Sequence, residues 1–394
     1  MFYFQTISLH KLRYQFFFLL IETILLHYLA QNILSHQKHH KRGSNVFYQV
    51  GGNDDIIFDG NSFATNKRGA IVCKAKKFEE DVSSISEEKL EFHAIGVLGD
   101  GLPYCNTFES NEQFFFEQAV CGIRDYVRKC GFSSVVIGES GGIDSAVVTA
   151  LAVEALGPEK VIGITMPSEF SSEGSYKDSE LLCNNLHIKF FICSIKNMFK
   201  TFLGQFDSVF EKNDKMSIMK ENLQARIRGQ ILMAYSNEFG SLVLSTGNKS
   251  ELSVGYSTLY GDMCGGLSPI AGLYKMEVYG VANYFNTLKG KELIPKTIIE
   301  KAPSAELSPN QKDTDSLPEY PVLDAILKYY IEDDPESRNI ENIRFINSES
   351  IKKVLSLIKK AEFKRRQSSI GLKMHYKDFG FGRRIPVAQN WEYK

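Results

Sequence analysis

The sequence predicts an α/β protein built on a doubly wound parallel sheet, and three observations carry that expectation. A β-branched run, Val135-Val136-Ile137, meets the turn Gly138-Glu139-Ser140-Gly141-Gly142 and then an apolar helix that opens near Asp144. Beyond residue 110, apolar strands alternate with helical stripes, as they do when each strand is followed by a crossover helix. A later strand, Leu242–Ser245, ends in a second polar turn, Thr246-Gly247-Asn248-Lys249-Ser250-Glu251. Doubly wound sheets bind ligands between such turns, at the carboxyl ends of their strands.

The first turn is the centre of the reading. Glycines let the backbone turn tightly, so that N–H groups and the dipole of the following helix point at one spot and form an anion cradle. Ser140 and Ser145 add hydroxyl donors. Asp144 adds a carboxylate where a magnesium ion could bridge to phosphate oxygens. The Walker loop is excluded, because no Gly-Lys-Ser/Thr follows the glycines. The same letters also fit the Gly-x-Ser-x-Gly elbow of serine hydrolases, with Ser140 as nucleophile and His187 or His375 as its base. A glycine turn without chemistry is the third reading.

The remaining elements follow in order. Phe116, Ala119, Val120, Ile123, Tyr126 and Val127 form a helical stripe leading to the strand at Ser134. Further strands are expected at Val161–Met166 and Ile188–Cys193, and helices at Ser175–Leu186, Lys215–Asn237 and Leu273–Leu288. Glu251 is placed to share a metal with Asp144; the plainer alternative is a first-turn acid facing the helix dipole. Asn222, Arg226 and Arg228 fall near one another on one helix, where a solvated charged face is the default. Tyr260-Gly261-Asp262-Met263-Cys264-Gly265-Gly266 reads as a flexible acidic loop.

Composition sets the limits. The chain has 394 residues, 43% hydrophobic and 24% charged, as in ordinary globular proteins. A net charge of −1 gives no basic field to recruit nucleic acid. The seven cysteines form no CxxC pair and read as reduced thiols of a cytoplasmic protein. Residues 1–45 are an atypical hydrophobic extension. Tyr14–Leu34 is interrupted by Gln15, Glu22, Thr23, His27, Gln31 and Asn32, and a carboxylate such as Glu22 near a span's centre would cost about 3 kcal/mol. No small-x-small cleavage site ends the run. The stretch therefore reads as an amphipathic helix rather than a membrane span or signal peptide. His36, His39 and His40 with Lys38, Lys41 and Arg42 read as a solvated linker rather than a metal site. Residues 46–82 look like a meander of hairpins, too short for an independent core and obliged to pack on something else. Residues 83–110 read as a linker, and 111–394 as the main domain.

Ser140-Gly141-Gly142-Ile143-Asp144-Ser145 is similar to the SGGxDS signature of the N-type ATP pyrophosphatases, whose fold is adenine nucleotide alpha hydrolase-like. With Thr246–Glu251, Tyr260-Gly261-Asp262, Lys301-Ala302-Pro303-Ser304-Ala305-Glu306-Leu307 and Glu362-Phe363-Lys364-Arg365-Arg366-Gln367, residues 110–394 resemble the glutamine-dependent NAD synthetases. The resemblance implies adenylylation of deamido-NAD by ATP, then displacement of AMP by ammonia. It implies that Gly138, Ser140, Gly141, Gly142, Ile143, Asp144 and Ser145 hold pyrophosphate, that Thr246 contacts ATP, and that Asp144 and Glu251 take Mg2+. Asn222, Arg226, Glu251, Asp262, Lys275 and Lys364 would line the deamido-NAD site, with Asp144, Ser140 and Lys275 as the catalytic set. It also implies a homo-oligomer. Gln49–Phe63 resembles the last part of a nitrilase-like glutaminase domain, whose nucleophilic cysteine lies upstream of that segment. The first cysteine here is Cys73, so the expectation is a truncated, glutaminase-inactive remnant that draws on free ammonia or on a separate glutaminase subunit. Glu139 departs from the family, which usually carries an apolar residue there. A carboxylate at that position either faces the phosphates and repels them or turns inward at a desolvation cost. A remnant that only binds nucleotide is the alternative reading of the chain.

Overall fold

Antiparallel pairing organises the beginning of the chain and parallel pairing the rest. The computed structural model describes residues 48–65, 71–85, 110–210, 217–309, 311–332, 346–380 and 382–389, with the strand segments at 2–5 and 44–46. The expected amphipathic helix, the histidine cluster and most of the 83–110 linker lie outside the described residues. The chain divides into two compact units, Met1–Asp125 and Tyr126–Lys394.

The first unit holds strands β1 (Phe2–Gln5), β2 (Ser44–Val46), β3 (Val50–Asn53), β4 (Ile56–Asp59), β5 (Phe63–Thr65), β6 (Ile71–Lys74) and β7 (Val82–Ile85). β3 and β4 form a hairpin, β2-β5-β6 a small antiparallel sheet, and β1 pairs with β7. The expected simple meander is corrected in one respect: β4 and β5 are not partners. Gly60 (φ +71°) and Asn61 (φ +62°) turn the chain left-handed and carry β5 out of the β3–β4 ribbon. Helix α1 (Asn111–Lys129) supplies the packing surface that so short a β segment needs. Its Asp125 carboxylate accepts the Gly52 N–H at 2.9 Å, and a Cβ on Gly51 would meet that carboxylate at 2.5 Å.

In the second unit β8 (Ser134–Gly138), β9 (Val161–Thr165), β10 (Lys189–Ile192), β11 (Ser241–Leu244), β12 (Leu267–Ser268) and β13 (Ile370–Gly371) form one parallel sheet in the order β10-β9-β8-β11-β12-β13. The connecting helices are α2 (Ile143–Leu156), α3 (Glu173–Asn185), α4 (Lys196–Val209), α5 (Ile218–Phe239), α6 (Lys249–Val254), α7 (Lys275–Lys289), α8 (Lys296–Glu300), α9 (Tyr320–Ile331), α10 (Ser348–Lys360) and α11 (Glu362–Arg365). The expected strands and helices all occur, with ends shifted by a few residues. Val136, Ile162, Ile164 and Val243 pack with Phe199 of α4 and Leu223, Ile227 and Leu232 of α5. Val135 and Ile137 point the other way by strand alternation and are equally buried, so both faces are covered. The sheet reverses order between β8 and β11. That switch point brings the two polar turns together.

Charged groups lock the elements that carry the second turn. Lys249, wholly buried at the start of α6, has its Nζ 2.7 Å from Glu332 and 2.5 Å from Asp378. Ser250 Oγ donates to Asp324 of α9 at 2.5 Å and accepts the Lys275 N–H at 2.9 Å. Arg365 of α11 donates to the Leu252 and Ser253 carbonyls at the end of α6. Among the described residues no helix is long and apolar enough to cross a membrane. Lys249→Met leaves two buried carboxylates without their cation, and a loss of about 3–5 kcal/mol is expected by urea unfolding. A loss below about 1 kcal/mol would show that the network is incidental.

Candidate active site

The first turn takes its shape from one glycine more than the others. Gly141 has φ +74°, and a Cβ there would lie 2.3 Å from the Ser175 carbonyl oxygen in the first turn of α3. Gly142 is the N-cap of α2 with an ordinary φ of −103°, and only the Ser140 hydroxyl lies near its missing Cβ. Ser140 Oγ accepts the Gly142 N–H at 3.2 Å and shares a hydrogen bond with Ser145 Oγ at 3.1 Å. Ser145 donates to Gly142 O at 3.1 Å. Hydroxyls and N–H groups are thus held together where α2 begins, which is the arrangement that receives anions.

Asp144 follows in the first turn of α2. Its Oδ1 accepts from Asn248 Nδ2 at 2.9 Å, and its Oδ2 lies 2.5 Å from Lys275 Nζ. The same ammonium is 3.1 Å from Glu251 Oε1. Glu251 is fixed by a capping box, in which Asn248 Oδ1 accepts the Glu251 N–H at 3.0 Å and Glu251 accepts in return from the Asn248 N–H. Three side chains from α2, α6 and α7 therefore converge on one point. Burial works against the Lys275 charge, yet Asp144 and Glu251 raise its pKa above the ordinary range. Glu251 is pushed upward by burial against the pull of Lys275.

Other expected residues gather around the chain that follows α6. Asn222 Oδ1 accepts from Thr258 Oγ1 at 2.7 Å, Arg226 Nε donates to Leu259 O at 3.2 Å, and Lys364 Nζ donates to Gly255 O and Ser257 O, each at 2.7 Å. Asp262 accepts the Thr258 N–H at 2.7 Å while its own carbonyl accepts from Ser245 Oγ at 2.9 Å, so the acidic loop is tied down rather than loose. Arg228 diverges from this group to reach Met166 O at 3.0 Å. Thr246 sits in the loop after β11.

The hydrolase reading fails on geometry. His375 directs Nδ1 to Gly272 O at 2.7 Å and Nε2 to Glu277 at 3.2 Å. His187 is exposed before β10, at the end of the sheet opposite Ser140. Neither histidine serves Ser140 as a base. The Glu139 side chain turns inward, 2% exposed, to Thr149 of α2.

Sequence reasoning assigned no role to Asn248, Ser175, Lys301 or Glu306. Glu306 Oε1 accepts from Ser175 Oγ at 2.6 Å and pairs with Lys301 Nζ at 3.0 Å, so the Lys301–Leu307 segment meets the start of α3, on which Gly141 rests. An Asn three residues before Glu251 is a capping-box signature and could have revealed Asn248.

A doubly wound sheet with a serine–glycine anion cradle at its switch point defines a nucleotide-binding α/β protein. The NAD synthase family model matches residues 115–368, and the chain belongs to that family. The glutamine-dependent NAD(+) synthetase of Synechocystis is 44% identical over 364 residues, which cover 92% of this chain and 64% of that protein. The chain therefore spans a little under two thirds of the curated relatives it matches. A glutamine-dependent NAD+ synthetase of Acinetobacter baumannii, solved with ADP, aligns with TM-score 0.64 and 36% identity over 92% of this chain and 64% of that one. An NH3-dependent NAD synthetase of Campylobacter jejuni aligns with TM-score 0.51 and 30% identity, covering 64% of this chain and 95% of that one.

The two glycines should respond differently to alanine. Gly141→Ala combines a left-handed φ with a backbone clash and should destabilise the protein by about 1–3 kcal/mol, whereas Gly142→Ala should change stability by less than about 1 kcal/mol. Thermal unfolding of the pair checks this, and equal effects would contradict the packing described.

Proposed function

We propose that this chain catalyses the ATP-dependent amidation of deamido-NAD to NAD, with ammonia as the nucleophile at this domain. The observation that carries the proposal is the convergence of Asp144, Lys275 and Glu251 beside the serine–glycine cradle. In the first step a carboxylate oxygen of deamido-NAD attacks the α-phosphorus of ATP, and the bond to pyrophosphate breaks. In the second, ammonia attacks the activated acyl carbon, the bond to AMP breaks, and a proton leaves the nitrogen to give the amide. Both steps build charge on a departing phosphate. The N–H groups at the start of α2 and the Ser140 hydroxyl are set to hold the first leaving group, while Ser145, buried and donating to Gly142 O, braces the turn. Lys275, kept charged by its two carboxylates, stabilises the developing charge on the reacting phosphate.

Asp144 and Glu251 fit a magnesium site, because their oxygens already converge on one cation and substrate phosphates can fill the other positions. Mg2+ bound there would neutralise charge on the departing pyrophosphate. Asn222, Arg226, Asp262 and Lys364, grouped around residues 255–262, form the side of the site that receives deamido-NAD. Two features of the chain support a cytoplasmic homo-oligomer. The seven cysteines form no CxxC pair. Phe191, Ile192, Phe202, Phe210 and Phe239 leave large apolar surfaces exposed.

NAD formation from deamido-NAD, ATP and Mg2+ tests the proposal, with ammonium and glutamine compared as nitrogen sources. Ammonium should support turnover, and Asp144→Ala should lower kcat/KM on the order of a thousandfold. Absence of product with ammonium would overturn the reading, and an active Asp144→Ala variant would overturn the metal assignment.

A further inference from the structure

Glu139 stands directly before the cradle yet belongs to the interior. Its side chain is 2% exposed. Thr149 Oγ1 of α2 donates to its Oε1 at 2.5 Å, and Oε2 has no hydrogen-bond partner among the described residues. The Ser145 hydroxyl, committed to Gly142 O, lies nearby as well. On the other side the carboxyl stem and Cys183 Sγ of α3 pack together over Gly163 of β9. Among the described residues no lysine, arginine or histidine is among the groups acting on it, and Cys183, itself pushed upward by burial, is the titratable neighbour.

We propose that Glu139 is a positioning residue behind the anion cradle, neutral while nucleotide is bound, and that its ionisation at alkaline pH weakens nucleotide binding. The start of α2 lends positive potential to the cradle, and Glu139 lies against the same helix through Thr149. A neutral acid leaves that potential to the phosphates. A carboxylate enclosed with hydroxyls and no cation takes the potential for itself and adds repulsion across a low-dielectric interior. Burial pushes the Glu139 pKa up to about 8, against the Thr149 and Ser145 hydroxyls, which places the change just above neutrality. The folded state consequently holds a proton that the unfolded chain releases near its ordinary pKa of 4.5. Stability therefore falls as pH rises from that value towards 8 and levels off above it.

The inference rests on reading the cradle as a nucleotide site, and a binding measurement separates it from the amidation chemistry. Titration calorimetry with Mg-ATP between pH 7 and 9.5 should show affinity falling on the order of tenfold in the wild-type protein. In Glu139→Gln only the change contributed by groups common to both proteins should remain, and the wild-type fall should exceed it on the order of tenfold. Glu251 also titrates upward of its ordinary range, but both proteins share it, so their difference belongs to Glu139. The melting temperature of Glu139→Gln relative to wild type should rise between pH 4.5 and about 8 and level off above it. Equal pH dependence in the two proteins would overturn the proposal, as would a flat wild-type profile if the variant does not fold. ATP binding with this profile but no NAD formation would sink the amidation reading alone. No ATP binding at any pH would end both.

Discussion

The buried contact of Lys275 with Asp144 and Glu251 is the constraint on which the site depends. Each partner comes from a different helix, and each helix is fixed by other means. α2 is set by the strand and cradle before it, α6 by its capping box and the enclosed Lys249, and α7 by Ser250 and Asp324. A buried ammonium among carboxylates tolerates little displacement, because either charge left alone would be costly. The geometry of the chemistry is therefore inherited from the packing of elements far apart in sequence.

Polar groups perform this fixing more than apolar ones do at this end of the sheet. Between the sheet and its flanking helices the core is ordinary, with branched aliphatic side chains on both faces. At the carboxyl ends of the strands, Asn248, Ser250, Lys249, Arg365 and Asp324 replace it with a hydrogen-bonded interior. Such networks hold one arrangement when every member is satisfied and fail sharply when one is removed. A phosphate-handling site gains from that rigidity, since donors already in place need not reorganise as charge moves.

Much of this was legible in the sequence, and the reason is local. The strand–turn–helix around Gly141 follows from β-branching, glycine and an apolar run within a dozen residues. The alternation of later elements follows from periodicity. Convergence of Asp144 with Glu251 could be anticipated only because each opens a helix that follows a strand of the same sheet. What escaped reading depends on contacts between remote residues. β12 and β13 are two residues each and show no period. Lys249 looks like a surface lysine until the C-terminal segment covers it. The direction of Glu139 hangs on a hydroxyl ten residues later, Thr149, and on the absence of a side chain at Gly163. The fold selects between two orientations that the sequence leaves equally open.

The central claim is that this arrangement activates a carboxylate by adenylylation before nitrogen arrives. Exchange of labelled pyrophosphate into ATP, followed in the absence of ammonium and glutamine, tests it most directly. Exchange that requires deamido-NAD and disappears in Lys275→Met is the result the account predicts. Exchange that proceeds without deamido-NAD, or none in its presence while NAD still forms once ammonium is added, would contradict it.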